Sequence, residues 1–149
     1  SLKSVNITAT DSDTTGDEVT STISGDVYAT TITATATADY DGTDGDIIAF
    51  GGVVNAATIT VAGAGTVTFA GNVVATTALD FGSTDGVASI AANRSLTGVV
   101  TSTNNKGTLT FGTTTANMTL ANTTIGTSAA DDLLAVNIVV TDADLGDST

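Results

Sequence analysis

The chain has 149 residues, 33 of them Thr and 16 Gly, with no Cys, His, Trp or Pro, a length that suits one domain with its own core, so residues 1–149 are expected to fold as a single unit. Three Lys plus Arg stand against 16 Asp plus Glu, a formal net charge of −13, and without clustered cations for phosphate contacts nucleic acid is not an expected partner. Without His or Cys, neither a Ser-His-Asp nor a Cys-His arrangement can be built, and disulfides and thiolate metal sites are excluded.

No apolar run approaches the roughly 20 residues of a membrane-spanning helix. A carboxylate pair for glycoside cleavage is formally available, yet aromatics are only 4% of the chain, too few for the platforms on which sugars usually stack. The chain is therefore read as non-enzymatic. It opens Ser1-Leu2-Lys3 with neither an initiator Met nor a basic-then-apolar leader, which suggests a removed signal segment or a cut from a longer chain.

Near the start, Val5-Asn6-Ile7 leads into a first acidic group of Asp11, Asp13, Asp17, Glu18 and Asp26. Alternation follows in Thr31-Ile32-Thr33-Ala34-Thr35-Ala36-Thr37. A period of two reads as a strand, and Thr and Val suit a pleated surface because their branched Cβ leaves few rotamers to lose.

A second acidic group, Asp39, Asp41, Asp44 and Asp46, lies within Asp39-Tyr40-Asp41-Gly42-Thr43-Asp44-Gly45-Asp46. Carboxylates held about 4 Å apart repel by about 1 kcal/mol in water and about 4 kcal/mol at an effective dielectric near 20. Such a loop needs open solvent or a cation, and calcium, which takes six to eight oxygen ligands in flexible geometry, is the cation expected. Counting Asp39 as the first ligand puts Asp44 at the sixth place and Phe50 at the twelfth, so this is not an EF-hand loop. The alternative is a solvated acidic turn.

Further strands are expected at Ala57-Thr58-Ile59-Thr60-Val61 and Gly107-Thr108-Leu109-Thr110-Phe111. The latter matches Gly65-Thr66-Val67-Thr68-Phe69 at an offset of 42 residues, which two solenoid coils of roughly 20 residues would explain. Each Phe precedes a small residue, in Phe50-Gly51, Phe69-Ala70, Phe81-Gly82 and Phe111-Gly112, a strand followed by a corner. The fold expected is all-β, a β-solenoid or parallel β-helix. A chain this rich in Thr and Gly also matches itself by chance, and an antiparallel β-sandwich is then the alternative.

The one stretch with helical character is Ser128 to Val136, too short to stand alone. After it, Val136-Asn137-Ile138 followed by Thr141-Asp142-Ala143-Asp144 echoes Val5-Asn6-Ile7 followed by Thr10-Asp11-Ser12-Asp13 at the other end of the chain. Either the chain is expected to span about one period of a longer array, or its two ends are expected to be equivalent at a subunit junction; on both readings the unit continues into a copy of itself. Asp142, Asp144 and Asp147 form a third acidic group. The candidate calcium ligands are thus Asp11, Asp13, Asp17, Asp39, Asp41, Asp44, Asp46, Asp142, Asp144 and Asp147.

From about Ile47 to Gly126 the chain resembles the passenger repeats of rickettsial autotransporter surface antigens, on Gly51-Gly52-Val53-Val54-Asn55-Ala56-Ala57-Thr58-Ile59, Gly65-Thr66-Val67-Thr68-Phe69-Ala70-Gly71-Asn72, Leu96-Thr97-Gly98-Val99 and Asn104-Asn105-Lys106-Gly107-Thr108-Leu109-Thr110-Phe111. That resemblance implies a β-solenoid exposed on a bacterial surface with adhesive or coat-forming roles. The tail Val140-Thr141-Asp142-Ala143-Asp144-Leu145-Gly146-Asp147-Ser148 resembles the calcium-associated turn of cadherin-like repeats in large secreted adhesins. In composition the chain is similar to calcium-dependent S-layer proteins. All three imply an extracellular or cell-surface protein of structural class; the matching ends, the Thr-rich strands and the absence of catalytic residue types point to copies of itself as the partner, with a host receptor or glycan as the alternative.

Overall fold

The computed structural model of the chain describes residues 1–11, 18–38, 45–112, 120, 122–128, 130 and 132–139. Among the described residues twelve strands and no helix are formed: β1 (Leu2–Ala9), β2 (Thr20–Ile23), β3 (Val27–Ala36), β4 (Ile47–Phe50), β5 (Val54–Ala62), β6 (Thr66–Phe69), β7 (Val73–Asp80), β8 (Val87–Ile90), β9 (Leu96–Thr101), β10 (Lys106–Gly112), β11 (Thr123–Ile125) and β12 (Leu133–Val139). Odd strands build one sheet in the order β1-β3-β5-β7-β9-β11, and even strands the other, β2-β4-β6-β8-β10-β12. Every pairing is parallel.

The chain therefore winds from one sheet to the other and back, a β-solenoid with each coil resting on the last. The antiparallel sandwich is set aside by this parallel order. The helical candidate, Ser128 to Val136, instead runs into β12.

Alternation in the sequence becomes two faces of each sheet. In β6 Val67 and Phe69 are buried while Thr66 and Thr68 face outward, and β4 and β8 repeat the pattern. Parallel register then stacks like positions into columns. One runs Ile23, Phe50, Phe69, Ile90, Phe111 and Ile138, and in the other sheet Val5, Ile32, Ile59, Leu79, Val100 and Ile125 align. Of the twelve, the eight inner members are essentially sealed from solvent.

The 42-residue repeat is two equal steps, Thr66 to Val87 and Val87 to Thr108. Coil length is not constant: the step from Thr20 to its partner Ile47 is longer than these, and the step from Ile47 to Thr66 is shorter. The difference sits in the corners. Ten residues join β1 to β2 (10–19) and ten join β3 to β4 (37–46), whereas three (63–65) join β5 to β6.

The short corner is tight. Gly65, Gly86 and Gly107 lie one above another at the entry to β6, β8 and β10, and the residues that follow send their amides to carbonyls one coil below. Gly107 adopts a φ of +68°, and a Cβ there would run into the Phe81 ring. That position accepts glycine on both counts.

Candidate functional site

The coiling puts Asp11, Glu18 and Asp46 on one edge of the molecule, because they flank or end the two connections, on consecutive coils, from the odd-numbered sheet to the even-numbered one. Asp46 is the residue of that edge the structure fixes most fully. It alternates in phase with Ile48 and Phe50, so its side chain points inward, and it is fully buried.

Its carboxylate joins three segments. Oδ2 accepts the Asp11 backbone N–H at 3.0 Å and the Thr37 hydroxyl, and Oδ1 accepts the Val19 N–H at 3.2 Å. Its backbone N–H donates to Thr37 O at 3.0 Å, and its carbonyl accepts the Thr66 N–H at 2.9 Å. Burial pushes the carboxyl pKa up, but the bonds from the Thr37 hydroxyl and from the Asp11, Val19 and Thr37 backbone more than offset this, leaving it below the ordinary aspartate value. Of the predicted ligands, Asp46 thus has both oxygens engaged by protein donors at the roots of the two loops.

Asp11 stands beside it, half-buried, and Glu18 is exposed and accepts the Thr20 hydroxyl at 3.1 Å. Asp26 belongs elsewhere. It lies on the opposite edge, between β2 and β3, where its Oδ1 accepts the Val53 N–H at 2.8 Å. Asn72 does the same two coils further along, accepting the Ser95 N–H at 3.1 Å. A single acidic group in sequence is therefore divided between two edges, because a strand lies within it. Asp13, Asp17, Asp39, Asp41, Asp44, Asp142, Asp144 and Asp147 lie outside the described residues. Among the described residues, no three carboxylates come together as a group that could hold a metal ion.

The second candidate site is the pair of solenoid ends. Among the described residues β1, β2, β11 and β12 each have a hydrogen-bonded neighbour on one side only. At the β12 end Leu134, Val136 and Ile138 are 58%, 41% and 53% exposed, although Val136 and Ile138 pair with Leu109 and Phe111, which are fully buried. These two are core positions with no described coil over them. Sequence alternation marks them as inward; what it does not show is that they end a column.

The echo between Val5-Asn6-Ile7 and Val136-Asn137-Ile138 joins β1 of one sheet to β12 of the other. The expectation of equivalent ends is corrected accordingly: the strand that closes the sheet of β1 is β11. The two segments share something simpler, an inward Val and Ile on an end strand, and the acidic half of the later segment lies outside the described residues.

No helix among the described residues is long and apolar enough to cross a membrane. No family model, curated protein or solved structure matches the chain.

Proposed function

We propose that this chain is a structural unit of an extracellular or cell-surface assembly, a filament, layer or stalk built by joining β-edges. The observation that carries it is the solenoid with apolar columns open at both ends of its described part. Unpaired edge strands template pairing with another chain unless Pro, Lys or a cap blocks them. This chain has no Pro, and of its three cations only Lys3, on β1, lies in one of the four end strands.

The passenger-repeat and S-layer resemblances support the surface location, and the lack of His and Cys supports a non-enzymatic role. Calcium is part of the same proposal. The acidic edge carries Asp11 and Glu18 at its first corner and Asp132 at its last, so joined copies bring like charges together where a divalent cation would relieve the repulsion. A role as an adhesin repeat binding a host receptor or glycan is the second reading, and it rests on the family resemblance alone.

Electron microscopy of the purified chain over a wide range of protein and calcium concentrations tests the leading reading. Polymers are expected, formed by the chain alone or on adding calcium. Strictly monomeric particles throughout would overturn it.

A further inference from the structure

Resting on the assembly reading above, we propose that copies stack head to tail in one defined register, with β12 of one copy beside β2 of the next and β11 beside β1, so that both sheets run on without a break.

The occupant of each end follows from the columns. At the head, Leu2 is 61% exposed although it pairs with buried Ala29, and Val5, Ile7, Val19 and Ile23 are only partly covered. A cavity of about 530 Å³ opens there, lined in part by Leu2, Val5, Ile23, Val27 and Tyr28. At the tail stand Leu134, Val136 and Ile138. Stacking tail on head sets Ile138 against Ile23 in the phenylalanine column and Ile125 against Val5 in the other sheet, continuing the contact that each coil already makes with its neighbour.

Away from the acidic edge, charge on the facing outward columns of the second sheet does not oppose the same partner. The outward columns that meet at this junction end in Ala135 and Asn137 at the tail and Thr20 and Thr22 at the head. These four residues carry no charge, although the chain as a whole carries −13, so the second sheet crosses the junction without repulsion. Head and tail are different surfaces, which makes the contact heterologous and the product an open filament rather than a closed dimer. All strands being parallel, only head-to-tail stacking keeps the ladder parallel across the junction.

Disulfide trapping reads the register directly, since the chain has no Cys of its own. Thr22 and Asn137 end one outward column, and neighbours across a parallel pair have a Cα separation within disulfide reach. The variant Thr22→Cys/Asn137→Cys, mildly oxidised at assembling concentration, is expected to give a ladder of covalent multimers. Thr20→Cys/Ala135→Cys, ends of the adjacent column, is expected to give the same ladder and covers a folding failure of the first pair.

Thr22→Cys/Thr124→Cys, placed on different sheets, is expected to give none. Polymers in the microscope whose links form only between like sites, Thr22 to Thr22 or Asn137 to Asn137, would overturn the register while leaving assembly standing. Absence of polymer and of links at every concentration would overturn both.

Discussion

Phe50 and Phe69 stack face to face, ring centroids 5.3 Å apart and planes within 4° of each other, although a full coil of chain separates them. The contact is the coil repeat expressed in one pair: each Phe ends its strand, and parallel register carries like onto like. Phe69 sits midway along its column and is fully buried. Phe69→Ala is therefore expected to cost about 3–5 kcal/mol, and Phe69→Leu distinctly less, because truncation leaves a cavity that a rigid stack of coils fills poorly. Chemical denaturation checks the ranking; equal losses from the two variants would place the stack outside the stabilising core.

Asp46 ties the roots of two loops, and Asp46→Ala leaves three part-buried donors without this acceptor, each orphan costing at most about 1–3 kcal/mol, the figure for a fully buried group. Its pKa lies below the ordinary value, which fixes the sign of the pH effect. The charged form's contribution is complete above the unfolded value of about 3.9 and is lost as pH falls through the lower folded value. Melting between about pH 5 and pH 2 should show a steeper fall for the native chain than for Asp46→Asn. Parallel curves would mean that the carboxylate charge contributes nothing.

Gly107 combines positive φ with a Phe81 ring where its Cβ would go. Gly107→Ala should cost roughly 1–3 kcal/mol from the backbone alone, and more from the clash. Gly25, where an added methyl group meets open space, serves as the tolerant control for Gly→Ala. A Gly107→Ala melting temperature no lower than that of the control would refute the crowding argument.

Calcium binding at the acidic edge predicts heat in a calorimetric titration and a higher melting temperature at millimolar calcium, a ligand at 100 times its Kd being worth about 2.7 kcal/mol. Replacing Asp39 and Asp41 by Asn should diminish both signals. No heat and no thermal stabilisation at millimolar calcium would remove calcium from the account.

Much of the fold is legible in the residues. Thr66-Val67-Thr68-Phe69 declares a strand with one buried face, and the Phe-small pairs at Phe50, Phe69 and Phe111 mark where strands end. The match between Gly65–Phe69 and Gly107–Phe111 gives the coil length in the regular middle. Elsewhere the coils absorb ten-residue corners, which lengthen the step from Thr20 to Ile47 and hide the repeat from a fixed-period comparison. Asp46 shows the other limit. Its acidic neighbours suggest a loop ligand, while its phase with Ile48 and Phe50 places it inside, and only the fold shows the donors that make an inward carboxylate tolerable. The matched Val-Asn-Ile segments mislead for a related reason: alternation gives the facing of a residue but not the sheet to which its strand belongs.

The most direct test of the whole account is the axial rise of the assembled protein by helical reconstruction from electron micrographs. Six strands per sheet among the described residues, at about 4.8 Å each, predict about 29 Å per copy, with strands perpendicular to the filament axis and both sheets continuous across every junction. A different rise, strands aligned along the axis, or particles that never extend beyond one copy would contradict it.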